Sequence, residues 1–235
     1  MAGSHFGIIH FEQSPAQGPV VAHALPARRI INANLPPPKQ PETVIAVKNL
    51  RMPPPIAVEL AEYDSTWPPL AALHSGHLAA LGDLLEVVHH IGSTAIKGIL
   101  AKPIIDLLPV VTNLELLEQR RTVLERLGYQ WHGEYGLPGR RYCLLEDAAG
   151  RRIVQAHFFE AGSFEITRHL AFRDYLRDHP IVAMEYEDEK CRAFALFPHD
   201  SHAYTAEKAA FIKRIEAQAL HWVSSKTPQD GASLR

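Results

Sequence analysis

Residues 90–106 read HIGSTAIKGILAKPIID, and this stretch decides the fold because it joins two apolar runs through a turn. Residues 84–91 precede the turn and residues 103–111 follow it, and the apolar composition of both runs predicts two β-strands. Gly92 ends the first strand. The second run is almost entirely apolar, which is typical of a strand buried inside a sheet. The stretch therefore predicts a strand–turn–strand unit in an α/β domain.

The turn in this stretch carries groups that suit an anion. Gly92 and Ser93 directly follow a strand, which leaves backbone N–H groups and a hydroxyl unpaired, as in many phosphate sites. Thr94 adds a second hydroxyl, and Lys102 adds a positive charge. Asp106 lies among aliphatic residues, where a carboxylate requires a cation, a donor or a metal. Each feature alone also fits a plain turn beside a solvent-facing acid, but their order along one stretch favours a functional site.

Apolar periodicity predicts the other elements. The expected strands are residues 58–63, 129–134, 140–146 and 151–159, with residues 147–150 as the hairpin turn between the last two. The expected helices are residues 68–81, 114–127 with Asn113 as N-cap and Gly128 as the stop, 163–177, 180–196 and 204–222. Strands first, one early crossover helix and a helical C-terminal third predict an α/β (α+β) fold, with a mixed sheet backed by helices.

Three segments differ in composition. Residues 1–55 form a proline-rich N-terminal extension. Because proline fixes φ and removes a hydrogen-bond donor, we expect the backbone of this segment to be extended and loop-like. This extension is either a disordered arm or a strap held by its scattered apolar residues, with a short strand at 43–47. Residues 56–223 form the folded domain, and residues 224–235 form a polar tail.

Composition excludes several classes of protein. The chain of 235 residues is 46% hydrophobic and 21% charged, with a formal net charge of -2, so no overall positive field attracts nucleic acid. The cysteines Cys143 and Cys191 are too few and too far apart for a disulfide framework. No apolar run approaches the roughly 20 residues of a membrane span. We therefore expect a soluble cytoplasmic protein with no membrane contact, and nothing predicts an obligate protein partner.

A longer pattern consists of five stretches: VELAEYDSTWPPL from 58, HIGSTAIKGILAKPIIDLLPVV from 90, GLPGRRYCLL from 136, HLAFRDYLRDHP from 169 and FPHDSHAYTAEKAAFIKRI from 197. Together they resemble the GrpB family, a branch of the nucleotidyltransferase superfamily. The resemblance covers roughly 160 of the 235 residues, from about Val58 to Leu220. It implies a nucleotidyltransferase-like fold. Residues 1–55 have no counterpart in the short bacterial members.

The chain departs from the superfamily at the metal site. Nucleotidyltransferases hold magnesium on two acids that alternate along the strand after the Gly-Ser turn and on a third acid in a later strand. The partner of Asp106 would be Ile104 or Leu108, and neither binds a metal. The third position holds His157, with Gln155 on the same face. We therefore predict no two-metal centre and no metal cofactor, while a single Mg²⁺ held by Asp106 and ligand phosphates stays open.

Other polar residues are candidates for binding substrate or nucleotide. His90 is either a general base or a hydrogen-bonded core histidine that holds the turn. Arg140 and Arg141 point to opposite faces of a strand, so at most one faces the site. His169 and Arg173 share one face of a helix, with Arg173 a candidate phosphate contact.

Two further pairs at helical spacing leave alternatives open. Tyr204 and Lys208 lie four residues apart and face either the cleft or the solvent. His74 and His77 have the spacing of two helical metal ligands, but no third ligand lies near them in the sequence. We therefore interpret them as surface or packing histidines.

The GrpB family includes fungal members that are tRNA-dependent cyclodipeptide synthases, and this resemblance implies an activity. It predicts a transferase that condenses an arginyl group and a second aminoacyl group into an arginine-containing diketopiperazine. Its partners would be aminoacyl-tRNAs, arginyl-tRNA and one other. Aminoacyl-tRNA is already an activated ester, so attack by an amine requires a base, an oxyanion holder and positioning rather than a metal pair.

The predicted catalytic residues are Ser93, Asp106 and His157. Asp106 binds the guanidinium, His157 moves the proton, and Ser93 either belongs to an oxyanion or terminal-adenosine site or accepts the acyl group. The predicted binding residues are His90, Gly92, Thr94, Lys102, Arg140, His169 and Arg173. The alternative hypothesis is a GrpB-type nucleotide-binding protein or a nucleotidyltransferase that acts on a small substrate.

Overall fold

A computed structural model describes residues 55–226. Its strands are β1 (Leu85–Ile91), β2 (Ile105–Val111), β3 (Gln130–Trp131), β4 (Arg140–Glu146) and β5 (Arg152–Glu160). Its helices are α1 (Trp67–Leu78), α2 (Leu114–Gln119), α3 (Arg121–Arg126), α4 (Phe164–Asp178), α5 (Pro180–Leu196), α6 (Ser201–Glu207) and α7 (Ala209–Lys226), with 3-10 turns at Ala79–Leu84 and Ser93–Ala95. The predicted extension, apart from Pro55, and its strand at 43–47 lie outside the described residues.

The five strands form one mixed sheet in the order β1-β2-β5-β4-β3. Strands β2 and β5 are parallel, and the other neighbours are antiparallel. The mixed sheet backed by helices, with a helical C-terminal region, confirms the predicted fold class. Strand β2 lies between two neighbours and all its residues except Asp106 are buried, as its apolar composition predicts.

Alternation along the strands gives the sheet two different faces. One face presents Leu107 and Phe158 to a core that also contains residues of α1, α2 and α3. The other face presents Leu108 and Phe159 to apolar residues of α4. Asp106 and His157 alternate with the first set, so they belong to the same face as the second set and point toward the C-terminal helices.

Two predicted strands are shorter than the sequence indicates. Residues 58–63 form only the isolated bridge between Ala61 and Ala101, because the N–H of Val58 bonds the carbonyl of Pro198 instead and the segment pairs with two different partners. Residues 129–134 keep only β3, because the chain turns at Gly133, where φ is +59°. Periodicity predicts extended backbone here, but the pairing depends on distant segments.

The helices follow the sequence prediction with two interruptions. Asn113 caps α2 as predicted, since its side chain accepts a hydrogen bond from the N–H of Leu116 at 2.8 Å. The helix expected over 114–127 is split into α2 and α3 at Arg120, and the one expected over 204–222 is split into α6 and α7 at Lys208. Among residues 55–226, no helix is both long and apolar enough to cross a membrane.

Candidate functional site

The turn after β1 lies directly on the carboxylate of Asp106. Gly92 has φ +70°, a left-handed conformation that favours glycine. A Cβ atom at this position would lie 2.3 Å from Oδ2 of Asp106, which is closer than any contact allows. The N–H groups of Ala95 and Ile96 bond back to the carbonyls of Gly92 and Ser93 and so close a 3-10 turn. Glycine is therefore required at position 92 both for the turn and for the close approach.

Asp106 is the second residue of β2, opposite Ile91 in β1 and Gln155 in β5. Its side chain is 28% exposed, and Oδ1 lies 3.5 Å from Nε2 of His157. The sequence predicts a carboxylate buried among aliphatic residues, but alternation turns Asp106 away from Ile105 and Leu107 and into a cavity. The acid is thus open to a ligand rather than sealed in the core.

A cavity of about 230 Å³ lies over this carboxylate, and we call it the lysine cavity. Asp106 is the one carboxylate among its lining residues, whereas three lysines line it. The lining residues are Gly92, Ser93, Thr94, Lys102, Ile104, Asp106, Gln155, Tyr186, Lys190, Tyr204, Thr205 and Lys208. The positive groups therefore outnumber the negative group in a small concave space.

The lysines of this cavity are held in an unfavourable environment for their charge. Burial, together with the charges of Lys102 and Lys190, lowers the pKa of Lys208 to about 7, while Asp106 opposes the shift. Burial also lowers the pKa of Lys190 to about 8, and that of Lys102. Nζ of Lys208 lies 3.9 Å from the ring centre of Tyr204, and Lys190 donates to the carbonyl of Leu100. An anion in the cavity would offset the repulsion among these ammonium groups.

A second cavity of about 430 Å³ adjoins the first, and we call it the arginine cavity. The two cavities share Lys102, Gln155 and Thr205. The arginine cavity is lined by Ile56, Lys102, Tyr135, Arg140, Tyr142, Arg152, Gln155, His157, Ser201, His202, Thr205, Ala206 and Ala209. It contains no carboxylate among these residues, so the cleft is cationic along both parts.

Asp106 and His157 lie at the junction of the two cavities. Asp106 lines the lysine cavity and His157 lines the arginine cavity. The second ring nitrogen of His157, Nδ1, lies 3.4 Å from Nη1 of Arg140. Beside this pair, the hydroxyl of Tyr142 donates to Oε1 of Gln155 at 2.8 Å. A carboxylate and an imidazole in contact are groups that can take up and release a proton at the centre of the cleft.

Three predicted binding residues line neither cavity. Nε2 of His90 lies 2.9 Å from Oγ1 of Thr94, and burial lowers the pKa of His90 to about 4. Nη1 of Arg173 donates to the backbone carbonyl of His90 at 3.0 Å, and its guanidinium also pairs with Asp174. Nδ1 of His169 lies 2.7 Å from the carbonyl oxygen of Glu165. These contacts support the walls of the site, and for His90 they match the alternative of a histidine that holds the turn.

The remaining predicted residues converge on the cleft. Ser93, Thr94 and Lys102 line the lysine cavity, and Oγ of Ser93 lies 3.4 Å from the hydroxyl oxygen of Tyr186. Arg140 lines the arginine cavity, whereas Arg141 lies on the opposite face and bonds Glu118. Alternation predicted this division of the two arginines.

Sequence reasoning missed several residues of the cleft. Tyr186 and Lys190 on α5 both line the lysine cavity, and their spacing of four residues signals a shared helix face. Tyr204 and Lys208, left open between cleft and solvent, also line it. Arg152 in the arginine cavity carried no sequence signal beyond its position at the start of a strand.

The residues present do not fit a two-metal centre. Ile104 and Leu108 flank Asp106 at the alternating positions, and Gln155 faces it from β5. Residues 55–226 contain no group of three or more histidine, cysteine, aspartate or glutamate side chains placed to hold a metal ion. A single ion on Asp106 and ligand phosphates stays a prediction.

Comparison with known proteins gives consistent matches. Residues 57–218 match the model of the family described as GrpB protein. The UPF0157 protein YqkA of Bacillus subtilis is 35% identical over 176 residues, which are 74% of this chain and 51% of that protein, so the match spans about half of YqkA. The glutamate-rich protein GrpB of Alkalihalophilus pseudofirmus is 35% identical over 57% of this chain and 79% of its own length.

A solved structure shares the fold. The crystal structure of conserved protein GrpB from Enterococcus faecalis is 36% identical, with a TM-score of 0.66. The alignment covers 71% of this chain and 99% of that one. The alignment therefore spans nearly all of that structure.

Proposed function

This chain belongs to the GrpB family, and from that premise we propose that it is a nucleotide-binding protein whose lysine cavity holds the phosphate groups. The observation that carries the proposal is the convergence of Lys102, Lys190 and Lys208 around the Gly92 turn, against the single carboxylate of Asp106. Backbone N–H groups at a glycine turn and flexible ammonium groups are the donors that proteins use for phosphate.

The electrostatics of the cavity favour an anion over the arginyl side chain inferred from the sequence. A guanidinium on Asp106 would enter a space that already contains three lysines, and their like charges would oppose it. A phosphate group would have the opposite effect, since it would stabilise the charged forms of Lys190 and Lys208, whose pKa values burial lowers. The same charges would accept either a free nucleotide or the phosphates of a tRNA acceptor end.

Binding of ATP and of inorganic pyrophosphate, measured by calorimetry at pH 6.5, tests the proposal. We expect Lys208→Met to weaken binding by roughly tenfold or more, because it removes one charge-assisted contact. Lys97→Met is the matched control, since Lys97 is an exposed lysine between β1 and β2 that lines neither cavity of the cleft. Equal affinities for the two variants, or no binding by the parent protein, would contradict the proposal.

A second candidate function is aminoacyl transfer from tRNA, and the contact between Asp106 and His157 favours it. In this reaction the α-amino group of one aminoacyl ester attacks the carbonyl carbon of the other. An amide bond forms, the ester bond breaks, and the 3′-hydroxyl of one tRNA is released. A second attack closes the diketopiperazine and releases the second tRNA. The Asp106–His157 pair would accept the proton that each amine loses, and no metal pair is required.

The test of this second function uses the full chain with a mixture of charged tRNAs and mass spectrometry of the products. An arginine-containing cyclic dipeptide is the expected product. Asp106→Asn and His157→Ala should each reduce its rate by roughly 100-fold, the usual contribution of a proton-transfer group. Parental rates in both variants would remove the assigned roles, and absence of any cyclic dipeptide would leave nucleotide binding as the function of the cleft.

A further inference from the structure

We propose that the arginine cavity is a second ligand site, distinct from the lysine cavity, that binds the oxyanion of a second substrate through Arg140 and Arg152. The ligand class is a small molecule or chain end bearing a carboxylate or a phosphate. The inference rests on the proposed function in one respect, since it takes the lysine cavity as the first site. The second site is based on Arg140 and Arg152, which play no part in the phosphate proposal.

Arg140 is positioned without a negative partner. Its Nη2 and Nε donate to the backbone carbonyls of Tyr135 at 2.6 Å and Glu134 at 3.2 Å. Its guanidinium lies 5.3 Å from the ring centre of Tyr142, which itself stacks on Tyr135 at 4.7 Å. Within residues 55–226 it forms no ion pair. The contacts therefore fix the direction of the guanidinium, and Glu165 attracts its charge only from beyond ion-pair distance.

The side chain of Arg152 has fewer hydrogen-bond partners than that of Arg140. Its Nε atom is buried and has no hydrogen-bond partner among the described residues. Glu146 is its neighbour across the β4–β5 hairpin, but that carboxylate accepts a hydrogen bond from Gln130 at 2.9 Å. Burial lowers the pKa values of Lys102 and His132, and the nearby positive charge of Arg152 adds to both shifts. An arginine donor that is buried without a partner is costly unless a ligand completes it.

The lining of the cavity explains what such a ligand must carry. Arg140 and Arg152 contribute guanidinium groups, Lys102 contributes an ammonium group, and His157 and His202 add imidazole rings. No carboxylate lines the cavity. Guanidinium groups present paired donors that match the two oxygens of a carboxylate or a phosphate. The cavity is also nearly twice as large as the lysine cavity, about 430 against 230 Å³, so there is room for a ligand body beyond the oxyanion.

The junction between the two cavities indicates what the second site does. His157 faces the arginine cavity and contacts Asp106, which faces the lysine cavity. A ligand held by the arginines would therefore meet the proton-accepting pair from one side, while a phosphate-bearing ligand meets it from the other. A cleft with two adjoining anion sites and one shared acid–base pair suits a reaction between two substrates.

Calorimetric titration with phenyl phosphate and, separately, with benzoate tests the site, because one probe carries a phosphate and the other a carboxylate on the same ring. We expect Arg152→Gln to weaken whichever probe binds by roughly tenfold, the loss of one charged hydrogen bond. Arg151→Gln is the matched control: its residue is adjacent in sequence, its side chain is 80% exposed, and it pairs with Asp147. A second pair, Arg140→Gln against Arg141→Gln, repeats the comparison on β4, and circular dichroism checks that each variant is folded.

Both arms have defined outcomes. Tighter binding of benzoate identifies a carboxylate ligand, and tighter binding of phenyl phosphate identifies a phosphate ligand. Equal affinities in Arg152→Gln and Arg151→Gln, or no binding of either probe to the parent protein at millimolar concentration, would overturn the proposal.

A variant of the lysine cavity distinguishes the two proposed sites. Lys208→Met should weaken ATP binding and change the affinity for the probe by less than about twofold, since Lys208 does not line the arginine cavity. If Lys208→Met weakened binding of the probe as strongly as it weakens ATP binding, the two ligands would share one site and the inference would be overturned, even if phosphate binding itself were intact. Conversely, loss of the phosphate proposal with retained probe binding would leave the arginine site standing.

Discussion

Replacement of Gly92 by alanine should separate backbone strain from steric conflict at the centre of the site. Alanine at φ +70° and ψ -173° costs about 1–3 kcal/mol, because this backbone region is essentially confined to glycine. The new Cβ would also lie 2.3 Å from Oδ2 and 2.9 Å from Cβ of Asp106. Moving a packed strand residue out of the way adds about 1–3 kcal/mol. The total destabilisation is therefore roughly 2–6 kcal/mol.

Gly98→Ala is the matched control for this variant. Gly98 has φ +84° in the same loop, but nothing lies within 4 Å of the Cβ that a substitution would add. Its destabilisation should be limited to the strain of about 1–2 kcal/mol. Urea unfolding of the two variants measures the difference directly, and thermal unfolding should show a gap of roughly 2–4 °C for each kcal/mol.

The double variant Gly92→Ala with Asp106→Ala identifies the partner in the clash. Without the carboxylate, only the Cβ atom of residue 106 remains near the new methyl group, so the effect of Gly92→Ala should shrink by at least about 0.5 kcal/mol. In the otherwise parental chain, Gly92→Ala should also weaken ATP binding, because the displaced turn lines the lysine cavity. Equal stabilities of the Gly92→Ala and Gly98→Ala proteins would refute the reasoning.

Three further outcomes follow from the structure. Burial lowers the pKa of Lys208 to about 7, so above pH 7 the unfolded chain binds more protons at this lysine than the folded chain does. The free energy of unfolding should therefore rise by up to about 1.4 kcal/mol per pH unit between pH 7 and about pH 10. Urea unfolding of Lys208→Met over the same pH range should show a flatter rise. Arg173→Ala should lower the free energy of unfolding by about 1–3 kcal/mol, because it removes the donor to the carbonyl of His90 and leaves Asp174 paired only with Arg177 at 3.5 Å. An unchanged urea midpoint would exclude this support. Asp200→Ala should destabilise by about 0.5–2 kcal/mol, since Asp200 caps α6 by accepting from two backbone N–H groups, whereas Asp200→Asn should retain most of the stability in the same assay.

Local pattern predicted the features that adjacent residues decide. The apolar runs around residues 90–106 predicted β1 and β2, and Asn113 predicted the start of α2. Alternation separated Arg140 from Arg141 correctly. The bounds of the strands expected at 58–63 and 129–134 were wrong, because strand pairing depends on the partner segment and not on the segment alone.

The sequence by itself determined the turn, its glycine and the lone acid at position 106, because these groups lie close together along the chain. It also determined that Ile104 and Leu108, the alternating neighbours of Asp106 on the strand, have no side-chain atoms that can bind a metal. Only the tertiary structure decided which charges surround that acid. Lys190, Lys208 and Arg152 lie between 46 and 102 residues away along the chain, and helical spacing shows which residues share a face but not what the face meets. The packing of the C-terminal helices on the sheet brings Lys190 and Lys208 to the turn, and strand pairing places Arg152 in the adjoining cavity, because both depend on contacts between segments that are distant along the chain.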